Sequence, residues 1–334
     1  MGNFQPDLFF QGDVVCDQCN SELGKTVEKH FAERSFEGLI ARLLLRRKTG
    51  NQSPVILYDS SLLKFHFSSE TVIEYDPLFL LVKGALDKVG FTKDPILLLK
   101  KDNFYALIFA EEVANLKSQN KIKKLRYKIR NFRKGTETAE WIGDRDDSAE
   151  IVQAALTNIG LKSGSSSESV NDDEHPKLIR SSFMAFQDVD VNSARFVTKV
   201  AFEYFSYCAD KSGVLSNAFS EELKPVRDFI KEGTGNAKNF VSVSDNNFVA
   251  QKVKQGNNHY FVAFETVSGN LIGKVAFMDT IAYQVDFGKS PFSLANNRIG
   301  NGHALNLTDK KMKKMYAGKT PVLSGNEFSV YNKG

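Results

Sequence analysis

Apolar residues recur at helical spacing from the first tens of residues onward. Leu23, Val27 and Phe31 stand four apart, and Phe36, Leu39, Ile40, Leu43 and Leu44 mark a second stripe. Arg46-Arg47-Lys48 and then Gly50 read as the end of that second helix, with cations near the last carbonyls and glycine past them. From residue 54 to 110 the pattern changes to short apolar or alternating runs separated by Asp, Ser, Pro and Gly. Strands are predicted at 55–58, 62–67, 71–75, 78–82, 96–99 and 104–109, with a short helix around 85–89. Ile122, Leu125, Ile129 and Phe132 restore the helical period. Phe196, Val200 and Tyr204, flanked by Val197, Ala201 and Phe205, define a strong helix over 191–208. A helix over 221–232 should stop at Gly233, and strands follow at 240–243, 248–253, 259–267 and 271–287, the last broken by Asp279-Thr280.

These runs predict an α+β protein. The organisation expected is an α-rich module at 1–50, a β-rich domain with one basic helix at 51–162, a linker at 163–177, a helix-plus-sheet domain at 178–290 and a weakly structured tail at 291–334. The linker is marked by Ser163-Gly164-Ser165-Ser166-Ser167 running into Asn171-Asp172-Asp173-Glu174. At 334 residues, 42% hydrophobic and 11% aromatic, the chain can bury more than one core. Its longest apolar runs fall well short of the ~20 residues that span a bilayer. Met1-Gly2-Asn3-Phe4-Gln5-Pro6 has neither the basic region nor the apolar stretch of a secretion signal. With three cysteines, that predicts a reducing, cytoplasmic setting.

A net charge of +4 decides little about partners, but its distribution is uneven. Residues 117–134 carry nine basic side chains and no acidic one, whereas 135–175 hold ten carboxylates against Arg145 and Lys162. Lys121, Lys123, Lys124, Arg126, Lys128, Arg130, Arg133 and Lys134 are the candidate contacts to a DNA backbone, with Tyr127 and Phe132 interleaved. The competing reading is a solvated helix face balanced by the acidic stretch.

The most specific chemistry lies at Cys16-Asp17-Gln18-Cys19-Asn20-Ser21-Glu22-Leu23-Gly24. A C-x-x-C turn places two thiolates where a tetrahedral Zn²⁺ bridges them, and Asn20 follows at the expected helix start. Asn20 is equally suited to cap that helix. The only other cysteine, Cys208, sits alone in a helical pattern and reads as a buried thiol.

This segment resembles the second half of an HNH endonuclease finger, whose ββα core ends in C-x-x-C-N or C-x-x-C-H at the helix start. Lys199-Val200-Ala201-Phe202-Glu203-Tyr204-Phe205, the stretch from Val226 to Gly233, and Ala282-Tyr283-Gln284-Val285 are similar to the C-terminal part of larger prokaryotic proteins containing such fingers. The resemblance implies metal-dependent hydrolysis of DNA phosphodiester bonds. It also implies structural zinc on Cys16 and Cys19, and a catalytic Mg²⁺ or other divalent ion held partly by Asn20, the one catalytic candidate. The family's first cysteine pair and its D/E-H-x-x-P histidine have no counterpart in the fifteen residues before Cys16. The expectation is a sequence that begins late in the finger and is inactive or nearly so, because a missing general base costs about 10²–10⁴ in rate.

The histidines do not repair this. His30 lies too far along the helix, His66 reads as a strand-surface residue, Glu174-His175-Pro176 falls in the linker, and His259 and His303 lack ligand-spaced neighbours. Walker, zincin, hydrolase-elbow and dinucleotide-binding motifs are missing from the sequence. The alternative to the nuclease is a non-catalytic nucleic-acid-binding or protein-interaction module, and behind it an intracellular scaffold.

Overall fold

A computed structural model describes residues 17–45, 53–67, 76–88, 95–134, 139–143, 148–161, 183–208, 221–244, 260–277, 281–290, 300–306, 311–317, 320–324 and 327–331. The architecture is α+β, as the two periodicities predict. The chain divides into two compact units, one formed by Met1–Phe31 with Val189–Gly334 and the other by Ala32–Asp188. This differs from the boundaries expected near residue 50 and within 163–177, the latter stretch lying outside the described residues. The cause is the first apolar stripe. α1 (Asp17–Leu23), one π-helical turn (Gly24–Glu28) and α2 (Lys29–Arg34) bury Leu23, Val27 and Phe31, and the Phe31 ring lies 4.3 Å from Phe196 and 5.3 Å from Phe277. The N-terminal helices therefore share a core with the C-terminal part of the chain.

The Ala32–Asp188 unit begins with α3 (Phe36–Leu45), β1 (Val55–Asp59) and β2 (Leu63–Phe67). It continues with α4 (Pro77–Lys88), β3 (Ile96–Lys101), β4 (Phe104–Phe109), α5 (Ala110–Ala114), α6 (Gln119–Lys128) and α7 (Arg130–Arg133). β5 (Ala139–Ile142), α8 (Ser148–Ile159) and β6 (Phe183–Gln187) complete it. An antiparallel sheet in the order β1-β4-β3-β5 forms its centre, and β2 pairs separately with β6. Leu97, Leu99, Ala106 and Ile108 on one face pack with Val113, Leu125, Ile129, Phe132, Trp141, Val152, Leu156 and Ile159. α5 to α8 thus cover that face, and the basic segment is fastened to the core by its apolar stripe.

Residues 78–82, expected as a strand, are instead the first half of α4. Asp76 Oδ1 accepts the Leu78 N–H at 2.8 Å, Pro77 occupies the first helical position, and the Asp76 carboxylate also receives Lys100 Nζ at 2.6 Å. An apolar run of five residues fits a buried helix as readily as a strand, and here the Asp-Pro start signal decides. The strand expected at 71–75 lies outside the described residues.

The other unit resumes with α9 (Val191–Cys208), α10 (Lys224–Glu232) and α11 (Ala237–Phe240), then β7 (Val241–Ser244), β8 (Tyr260–Val267), β9 (Asn270–Phe277) and β10 (Ile281–Lys289). β11 (Gly300–Asn306), β12 (Lys311–Ala317), β13 (Thr320–Ser324) and β14 (Glu327–Tyr331) follow. α10 ends where the sequence predicts, at Gly233 with φ 76°. The sheet runs β12-β11-β8-β9-β10-β7, antiparallel throughout. α9 lies across it, with Phe205 5.1 Å from Phe264 and a Cβ added at Gly273 meeting Ala201 Cβ at 2.8 Å. The weakly structured tail is corrected: β11 and β12 extend this sheet and β13 pairs with β14. Gly, Asn and Lys are poor strand formers alone, but register against β8 supplies the ladder that local propensity lacks.

Candidate nucleic-acid interface

α6 starts at Ser118, whose hydroxyl accepts the Lys121 N–H. Ile122 and Leu125 of α6, with Ile129 and Phe132 beyond, are buried. At about 100° per residue, Lys123, Lys124 and Tyr127 of α6 fall opposite that stripe, and Arg130 at the start of α7 and Lys134 just past its end join them on the solvent side. All five are exposed, as is Lys121 at the edge of the face. Among the described residues, none of these cations forms an ion pair. Tyr127 is 67% exposed, and the Arg130 guanidinium sits over its ring at 4.7 Å.

The other three predicted contacts serve the fold. Arg126 Nε donates to the Asn158 carbonyl at 2.8 Å, Arg126 Nη2 to Thr157 at 3.4 Å, and Arg133 Nη2 to Gly160 at 3.4 Å. Those carbonyls lie at the C-terminal end of α8, where intrahelical donors have run out and cations are favoured. Lys128 Nζ bonds Ser53 Oγ and the Val55 carbonyl, each at 2.9 Å. Of the acidic stretch expected to balance the basic segment, residues 135–138, 144–147 and 162–175 lie outside the described residues.

Cys16 also lies outside the described residues. Cys19 and Asn20 are inside α1, so the turn expected across 16–19 is helical from Asp17 onward. Asn20 is an exposed residue of that helix and does not cap it. Cys19 is half-buried, and successive helical positions aim Cys19 and Asn20 about 100° apart. Among the described residues, no three His, Cys, Asp or Glu side chains are grouped to hold a metal. The described donors do not by themselves make a zinc or magnesium site.

Two clusters pair an i, i+4 couple on α9, Lys199 with Glu203 and Tyr204 with Cys208, with a residue far away in the chain. In the first, Lys199 Nζ, buried on α9, bridges Glu28 Oε1 at 2.9 Å and Glu203 Oε1 at 2.7 Å. Burial pulls the Lys199 ammonium down, but Glu203 and Glu28 outweigh it and hold the group above its ordinary range. Burial likewise pushes the Glu203 carboxyl up, against the pull of Lys199. Nearby in sequence to Glu28, His30 Nε2 meets Asp190 Oδ2 at 2.6 Å, so this histidine is a partly buried packing residue. In the second cluster, Tyr204 Oη lies 2.7 Å from His303 Nδ1. Burial raises the Tyr204 phenol, with the Cys208 thiol adding to the rise as a hydrogen-bond neighbour. Cys208 is thus half-buried beside a phenol, and His303 belongs to β11, not to a tail. His66 is exposed on β2 as expected, and His175 and His259 lie outside the described residues.

No helix among the described residues is long and apolar enough to cross a membrane. Compared with known proteins, the chain matches no family model, no curated protein and no solved structure.

Proposed function

We propose that this protein binds DNA through the solvent face of α6 and α7. The observation that carries this reading is the sorting of the basic segment. Arg126, Arg133 and Lys128 are committed to backbone carbonyls, while Lys121, Lys123, Lys124, Arg130 and Lys134 project to solvent without carboxylate partners among the described residues. A polyanion is the complementary ligand for such a face, and release of its condensed ions supplies affinity. Fluorescence anisotropy with a labelled short duplex should show binding that weakens steeply with salt. The log–log slope should approach about −0.9 for each phosphate neutralised. Lys123→Glu with Lys124→Glu should abolish most of that binding; an unchanged affinity and slope would overturn the proposal.

The second reading is that α1 belongs to an HNH endonuclease finger and that intact relatives hydrolyse DNA. Its support is the C-x-x-C-N segment and the helix that carries Cys19 half-buried and Asn20 exposed. Zinc on Cys16 and Cys19 would stabilise the finger, and Asn20 would face the ion that stabilises phosphate charge. Metal analysis of purified protein, with and without Cys16→Ser and Cys19→Ser, tests the first point. Mg²⁺- or Mn²⁺-dependent plasmid nicking, compared with Asn20→Ala, tests the second. Protein free of zinc that nicks no plasmid with either ion removes this reading and leaves DNA binding standing.

A further inference from the structure

The basic face carries one residue that phosphate binding does not need. Tyr127 is, at 67%, the most exposed large apolar side chain among the described residues, and it stands at the middle of the cationic stripe. Lys123 and Lys124 precede it by about one helical turn, while Arg130 and Lys134 follow it. Ile122 and Leu125, five and two residues earlier, fill the core, so the exposure of Tyr127 is set by helical phase and not by lack of room. Arg130 lies over its ring at 4.7 Å.

An aromatic ring flanked by cations is suited to an unpaired base: the ring offers a stacking surface, and the cations follow the phosphates on either side. A duplex keeps its base faces stacked inside and has no use for the ring along its length. We infer that the ligand of this face is single-stranded nucleic acid, with Tyr127 as the base-stacking platform and Arg130 as the residue that positions it. This inference rests on the proposed nucleic-acid binding and specifies its substrate class. A base on the Tyr127 ring would be read by its π-face, so the site should tolerate any sequence. Nothing in the stacking geometry selects a sugar, so DNA and RNA strands share the predicted chemistry.

The test is anisotropy with labelled oligo-dT, oligo-U and a duplex of equal length, on wild type, Tyr127→Ala, Tyr127→Phe, and Lys123→Glu with Lys124→Glu. Expected is tighter binding of both single strands than of duplex. Tyr127→Ala should weaken the single strands by about tenfold or more. Duplex affinity should stay within about twofold, and Tyr127→Phe should restore strand binding. Tight oligo-dT with weak oligo-U, or the reverse, would identify which strand the face takes. Charge reversal that weakens every probe, combined with a Tyr127→Ala that affects strands and duplex alike or neither, would overturn the single-strand inference and leave the DNA-binding proposal intact. Charge reversal without effect on any probe would sink both. Circular dichroism of each variant guards against misfolding, which an exposed side chain is not expected to cause.

Discussion

α9 and the α6–α7 segment are both helices with several cations, and they use them in opposite ways. On α9, Lys199 is buried between Glu28 and Glu203, and Arg195 donates to the Ile230 and Lys231 carbonyls at the end of α10. On α6–α7, Arg126 and Arg133 repeat that capping device on α8 and Lys128 reaches Ser53 and the Val55 carbonyl, while Lys121, Lys123, Lys124, Arg130 and Lys134 face water. Charge count alone therefore says nothing about function. What separates the anchoring helix from the one proposed to bind is whether each cation has its oxygen already.

The comparison can be broken most forcefully at Lys199. Truncation to alanine leaves two partly exposed carboxylates without their shared cation and should cost about 2–3 kcal/mol of stability in urea titrations, below the figure for a fully buried pair because solvent screens both acids. A loss near zero would mean that α9 uses its lysine no differently from α6. Next in size is Arg126→Ala, which should cost about 1.5 kcal/mol by freeing carbonyls at the end of α8, with the helix content of the rest retained. If it also removed nucleic-acid binding at unchanged stability, the division of α6 into structural and ligand cations would be wrong.

pH gives a third handle. The Lys199 ammonium and the Tyr58 and Tyr204 phenols all have folded-state values raised above their ordinary ones, the phenols chiefly by burial. A raised value means that the folded state holds the proton longer. The linked stability is fully present below the ordinary values of 10.0 for tyrosine and 10.5 for lysine and is lost as pH climbs through the raised ones. Denaturation midpoints should hold from neutrality to about pH 9.5 and fall beyond it. A midpoint flat to pH 11 would show that these groups do not titrate with unfolding. The smallest effect belongs to Lys124→Ala: within about 0.5 kcal/mol in stability, because the side chain touches only solvent.

Much of this contrast is readable in the sequence. The helical period places Ile122, Leu125, Ile129 and Phe132 inward, and the same arithmetic separates Tyr127 and Lys124 from Arg126 and Arg133, which stand seven apart on one flank. The cores around β3, β4 and α9 follow from apolar runs too long or too regular to be surface. Only half of the Lys199 anchor was legible: Glu203 stands four residues on, but Glu28 lies 171 residues away and only folding brings it in. Nor was β11 legible: residues 300–306, with two glycines and two asparagines, form a strand because β8 and β12 flank them. For Asn20, a cap and an in-helix position look alike until the start of the helix is known, and Asp17 begins it earlier than the cysteine spacing suggested.

The π-helical turn at Gly24–Glu28 has a consequence for Cys19 and Asn20, which precede it. Residues repeating every four drift by about 40° per step around an ordinary α-helix. A turn that closes on the fifth residue is wider and takes up that drift, so Leu23, Val27 and Phe31 stay in one line against the core. Cys19 is the next residue back in the same series. The turn thus acts as a phase adapter: it keeps Cys19 on the inward side and Asn20 on the outward side. Loss of a single residue between Gly24 and Glu28 would rotate both by about a quarter of a turn without touching either.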